Sequence, residues 1–394
     1  MQNNKLRMAI RATAAVTVLG LASQAQAISF TAGDYDASVY GYARLNASYD
    51  IDNNQALSTR SGSYSGLASD SGSDGHFGAD AFQSRLGVKT VSPQGVAVTV
   101  EGDFRGSGGG SLRLRHAFGE YNGVLMGQTW SNFSSFVGNT ATLDFDSLPG
   151  LAGYQARTVQ ARYTSGPLSI SLEDPQNSIL TATTVGGNAT TASVDTKDSM
   201  PAFTARIEDS NDGLSYSAAI LAHQVGYDEG DAGDDDSAFG FATFVAAKMM
   251  LTDMITLQGT LSYSDGANSF LYRSGEDFGA ASAYVDGSGD VETIAGYGGS
   301  IGAGFDLGGG RSINIGYGMV EVDWDDAEDD AAAAGFAGAV DGQSETNSAV
   351  MANYKWTPVK NVMMGVEYQF LKRENVDGSD GDASRLLFAA QYNF

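Results

Sequence analysis

Apolar and polar residues alternate in short runs along most of this chain. The last run shows the pattern best. In residues 383–394, Leu386, Phe388, Ala390, Tyr392 and Phe394 share one face of an extended backbone, and Arg385, Gln391 and Asn393 share the other. A period of two is the signature of a β-strand. A strand apolar on one face, polar on the other and closed by an aromatic residue fits the last strand of an outer-membrane β-barrel, with lipid on the first face and lumen water on the second.

The same reading gives sixteen strands, at 38–49, 82–90, 96–104, 111–120, 123–130, 157–164, 168–173, 202–208, 214–225, 238–250, 255–264, 291–305, 312–324, 346–356, 362–373 and 383–394. In 238–250 the alternation slips near Thr243, where a bulge would account for it. The connections alternate between short turns, such as 91–95, Asn122-Gly123 and 165–167, and longer polar loops, such as 50–80. Short periplasmic turns with long extracellular loops are the habit of outer-membrane barrels. The fold expected is therefore all-β, a transmembrane antiparallel barrel wide enough for an aqueous channel. One loop, about 131–155, is irregular but carries aromatics, so it is expected to pack against something, and the place available is the lumen.

The N-terminus changes the picture of compartment. Lys5, Arg7 and Arg11 precede a short apolar run, and Ala25-Gln26-Ala27 has the form of a cleavage site, so residues 1–27 read as a signal peptide and 28–394 as the barrel. Removing those three basic residues from 22 leaves 19 against 47 acids, a mature net charge of −28. That acidity excludes a nucleic-acid partner, which needs basic patches. There is no cysteine, hence no disulfide framework and no thiolate metal site. No cofactor is implied.

Several pieces resemble a known family, the DcaP-like trimeric outer-membrane porins of Gram-negative bacteria. They are Ser84-Arg85-Leu86-Gly87-Val88-Lys89, Glu101-Gly102-Asp103-Phe104, residues 112–119, residues 127–133, Gln160-Ala161-Arg162-Tyr163 and Leu172-Glu173-Asp174-Pro175. The C-terminal Phe with apolar residues spaced by two before it also resembles the assembly signal of outer-membrane proteins. The resemblance implies a sixteen-stranded homotrimer, a third loop folded into the pore, and passive uptake of small solutes and ions, often organic anions such as dicarboxylates. Some members carry a coiled coil before the barrel. Here about ten residues separate the cleavage site from the first strand, so none is expected.

By alternation Arg44, Arg85, Lys89, Arg105, Arg113, Arg115 and Arg162 face the lumen, with Glu101 and Asp103 among them. Two readings stand: a ladder that guides anions, or arginines that pair with Glu101, Asp103 and Glu173 and hold the wall. Asp144 and Asp146, in the pore loop, either complete a transverse field at the constriction or anchor the loop as hydrogen-bond acceptors. The acidic runs 228–236, 321–330 and 377–382 read as solvated outer loops; calcium binding or bridging to lipopolysaccharide is the rival, and none has EF-hand spacing. Of the histidines, His76 lies in the first loop, His116 on the nominal outward face and His223 near the outer rim. A barrel hydrolase would need one of them as base, and serines are too common here for one nearby to mean much; no catalytic residue is assigned. Tyr121, Tyr163, Trp356, Tyr368, Phe370, Tyr392 and Phe394 are candidates for the girdles at the lipid interfaces or for subunit contacts. A plugged structural or adhesive barrel, with acidic loops that bind partners, is the alternative to a channel.

Overall fold

The computed structural model describes residues 27–55, 64, 67–69, 74–185, 188–193, 196–228, 235–276 and 278–394. Sixteen antiparallel strands close into one barrel. The first six are β1 (Tyr35–Asp52), β2 in two pieces (Asp74–Asp80 and Arg85–Val91), β3 (Ala97–Gly106), β4 (Ser111–Tyr121), β5 (Val124–Trp130) and β6 (Arg157–Ser165). Next come β7 (Leu168–Glu173), β8 (Ala202–Asn211), β9 (Leu214–Asp228), β10 (Asp235–Met250) and β11 (Ile255–Asp265). The last five are β12 (Ala295–Gly308), β13 (Arg311–Val322), β14 (Ser344–Val359), β15 (Val362–Asn375) and β16 (Asp380–Asn393). Closure is between β1 and β16, with Arg44 opposite Gln391 and Asp50 opposite Arg385. The terminal Phe394 is tied to Gly41 by two backbone hydrogen bonds, 3.0 and 3.2 Å.

The wall is inverted relative to a soluble protein. Leu261, Ile301 and Ile315 are exposed on its outer face, while their neighbours Thr260, Ser300 and Asn314 are buried within. This is the distribution that lipid outside and polar groups inside demand. Among the candidate girdle residues, Tyr121, Tyr163, Tyr368, Tyr392 and Phe394 are exposed. β16 presents its two faces as its alternation predicts: Arg385 is fully buried inward and Leu386 exposed outward.

Three local expectations are corrected. The first loop is shorter than 50–80, because Asp74–Asp80 continues the wall, pairing Phe77 with Tyr49. A Gly-rich strand lacks the alternation that would reveal it. No bulge occurs at Thr243, which pairs in register with Ile220. The pattern slips there because Phe244 points inward and joins an apolar cluster with Phe133 and Phe270. His116 faces inward, not outward. Glu101 pairs with His116 and Gly102 with Leu114, so Arg115 is an inserted residue that reverses the alternation beyond it.

The outer loops carry structure of their own. Asn188–Ser193, Ile179–Val185, Ala283–Val285 and Val291–Thr293 form a four-stranded sheet in that order. Asp325–Ala333 is a helix, α1, with Asp325, Asp326 and Glu328 in its first turn, where acids are favoured by the helix dipole. So part of the acidic run 321–330 is helical. Residues 229–234 of the run 228–236 lie outside the described residues; beside them Lys197 bridges Asp228 and Asp235, at 2.9 and 3.5 Å.

Candidate functional site

The inner face of β1–β6 is an arginine wall. Arg113 grips Asp103 with both arms of its fork, Nε to Oδ1 at 3.0 Å and Nη2 to Oδ2 at 2.7 Å. Arg115, fully buried, donates to Glu101 at 2.8 Å and to Asp103 at 3.0 Å. The bulge at Arg115 puts it beside Arg113, and the two share Asp103. Arg85 lies 3.9 Å from Glu101 and over the Tyr42 ring. Arg105 stands 4.0 Å from Asp146 and 3.9 Å above the Phe145 ring. Arg44 spends its N–H groups on uncharged acceptors, Asn46, Gln391 and the Leu143 carbonyl. Lys89 shares the parity of Arg85 and is exposed near the periplasmic turn. Arg162 lies apart, near Arg206, Glu173 and Glu208, so it does not join the group around Asp103.

Opposite this wall sits the third outer loop, L3, residues 131–156. Its start is bolted to β7 and β8. Glu173 accepts from Ser131 Oγ at 2.6 Å and from Asn132 N at 2.7 Å, and Asn132 donates to Thr204 at 2.9 Å. Its middle is bolted to β15. Glu367 accepts from the amides of Leu143 and Asp144, at 2.6 and 3.1 Å. Gln369 Nε2 donates to Glu367 at 2.9 Å and to Asp144 at 2.8 Å, bridging the two carboxyls. The other Asp144 oxygen accepts from the amides of Asp146 and Ser147. Asp144 thus acts as an anchor within the loop, while Asp146 faces Arg105. Burial, with the Asp146 charge, raises the Asp144 pKa above the usual carboxylate value.

L3 can lie against β12 and β13 because glycines line them. A Cβ on Gly318 would stand 2.9 Å from Leu148 Cβ and closer still to the Pro149 carbonyl, and one on Gly302 would collide with Thr140. Two other loops join it. Tyr64, in the β1–β2 loop, and Tyr272, in the β11–β12 loop, are buried in one cluster with Leu148 and Leu151. Tyr272 donates its hydroxyl to the Asp146 carbonyl at 2.7 Å, and Tyr64 N donates to the Glu276 carbonyl at 3.0 Å.

The sequence pointed to the arginines of β1–β6 and placed Arg385 on the lumen face, but missed Arg157, Glu367, Gln369 and Arg373. Alternation alone places Glu367 and Gln369 inside, since Val366, Tyr368 and Phe370 face out; what it lacks is any sign that L3 lands on them. Among the described residues no group of three or more His, Asp or Glu side chains is placed to hold a metal. Neither His116, bonded to Thr129, nor His223, bonded to the Gly266 carbonyl, engages a serine.

The sequence matches the profile of the DcaP outer membrane proteins over residues 2–277. No curated protein matches it. Its fold is similar to the outer membrane channel DcaP of Acinetobacter baumannii, with a TM-score of 0.76 and 28% identity over 93% of this chain and 99% of that one. More distantly it shares the fold of an anion-selective porin from Comamonas acidovorans (TM-score 0.56, 14% identity, 91% of this chain and 100% of that one). Salmonella typhi OmpF in complex with daunomycin is comparable (TM-score 0.55, 12% identity, 93% and 100%). The profile spans more than half of the chain, and the chain belongs to the DcaP outer membrane protein family.

Proposed function

We propose that this member of the family is a passive diffusion channel that favours small organic anions, dicarboxylates among them. It is an outer-membrane channel of the porin kind in a Gram-negative bacterium. Residues 1–27 serve as its cleaved signal peptide, three copies assemble, and the acidic outer loops lie among lipopolysaccharide. Flux follows the concentration gradient and involves no chemical step.

One observation carries the anion reading. Among the described residues Arg85, Arg113 and Arg115 share two carboxylates, Glu101 and Asp103, and Arg157 stands close by without one of its own. The acids hold the wall and still leave it positive. A fixed positive excess in a confined lumen concentrates anions, and planar guanidinium forks suit carboxylates. Much of the acidity sits elsewhere, as in α1 and the turn at Asp377.

Reversal potential under a salt gradient, measured on the mature protein in a planar bilayer, tests this. Anion preference is expected. Cation preference would hand selectivity to the acids. Silence from folded protein would favour the plugged barrel, a reading supported by the burial of residues from three loops inside the wall.

A further inference from the structure

Arg157 and Trp130 face one another at the end of the β5–β6 ladder, where L3 leaves and re-enters the wall. Ser131 N donates to the Ala156 carbonyl at 3.0 Å and closes the root of the loop. Trp130 is held firmly there. Gln160 donates to its carbonyl at 2.9 Å, and its ring lies edge-on to Phe136 and His116, with centroids 5.0 and 5.8 Å away. Two guanidiniums lie against the indole, Arg157 at 4.7 Å and Arg115 at 5.7 Å from its centroid.

The two arginines differ in what their N–H groups do. Nε and Nη1 of Arg115 are bound to Glu101 and Asp103. Among the described residues, Arg157 has no carboxylate within ion-pair distance and no hydrogen bond from its guanidinium. Its strongest electrostatic neighbours are Arg115, Arg113 and Arg85, all of its own sign, and then Asp103. A guanidinium fixed by stacking on an indole keeps its donors in one plane at its edge, the geometry that binds two oxygens of one anion. Arg157 is half-buried, so its donors are open to the lumen, where an anion can reach them.

We infer that Arg157 and Trp130 form an oxyanion subsite at the root of L3, taking carboxylate- or phosphate-type solutes before they reach the constriction at Arg105 and Asp146. The inference rests on the anion reading above, and its test reads binding without flux, so the two can fail separately.

The chain has three tryptophans, so Trp324→Phe with Trp356→Phe leaves Trp130 as the sole tryptophan in the folded full-length protein, read with excitation at the red edge where tyrosine does not absorb. Its fluorescence is quenched with iodide, an anion, and with neutral acrylamide. Replacing Arg157→Gln should cut the iodide quenching constant about two-fold through loss of one local positive charge, and leave acrylamide quenching unchanged. Succinate and inorganic phosphate are then added as competitors. Protection by either before the substitution and not after it supports the subsite, and which of the two protects tells the carboxylate class from the phosphate class. Arg157→Lys keeps the charge and loses the fork, so iodide quenching should persist and protection weaken; this variant carries the test if the glutamine variant does not fold. Iodide quenching unaffected by Arg157→Gln, a parallel fall with acrylamide, or protection undiminished in the lysine variant would each overturn the proposal.

Discussion

The two sides of the lumen are built on opposite plans. The wall of β1–β6 is made of long charged side chains that reach into the lumen and are fixed by one another, as Arg113 and Arg115 are by Asp103. The wall of β11–β15 brings side chains down to nothing at Gly302 and Gly318, so that the backbone of L3 can lie on it. One side supplies charge; the other supplies room for the loop that lies opposite that charge. The first depends on ion pairs under low dielectric, and the second on the close packing of surfaces with no slack.

The sharpest way to break the charged side is Arg115→Met. It leaves Glu101 and Asp103 short of a partner in a buried setting, a change worth about 3–5 kcal/mol. The barrel should unfold at markedly lower denaturant, and surviving channels should lose anion preference, read by reversal potential. Next comes the packed side. Gly318→Leu drives a side chain into Leu148 and Pro149, with an overpacking cost of about 1–3 kcal/mol. The barrel should survive and L3 lift, so single-channel conductance should rise; unchanged conductance would mean the loop does not set the bore.

A gentler probe uses pH. The folded pKa of Asp144 is raised, chiefly by burial. Its contribution to seating L3 is therefore full below the unfolded carboxylate pKa and lost as pH rises through the folded one. Amide exchange in 140–147, corrected for intrinsic rates, should slow as pH is lowered through that window, and Asp144→Asn should flatten the trend. The smallest effect is expected from Lys89→Ala at the periplasmic mouth. Lys89 is exposed and screened, so only a slight loss of anion preference at low salt should appear, and none at high salt.

The charged side was far more legible in the sequence than the packed one. Lumen-facing arginines follow from a period of two, which is why Arg85, Arg105 and Arg113 could be placed from strand parity. The bulge at Arg115 could not, because one inserted residue leaves no mark in composition and turns His116 from the lipid side to the lumen. The glycine seat was silent for another reason. Gly302 and Gly318 look like weak positions in a strand until the loop that covers them is known, and that contact joins residues far apart in the chain. L3 itself could be recognised as a loop that packs. Its landing on Glu367 and Gln369 could not, since any inward polar pair would have looked the same.

The seat of L3 also has a consequence for timing. The loop spans 131–156, yet it docks on β12, β13 and β15, and the barrel closes only when β16 meets β1. During synthesis and insertion, Leu143, Leu148 and Leu151 therefore have nowhere native to go until the last third of the chain arrives. Contacts of such long sequence separation form slowly. The loop that narrows the finished pore is, through most of assembly, an exposed apolar segment in need of protection, and a chain that stops short of its final strand would leave it so.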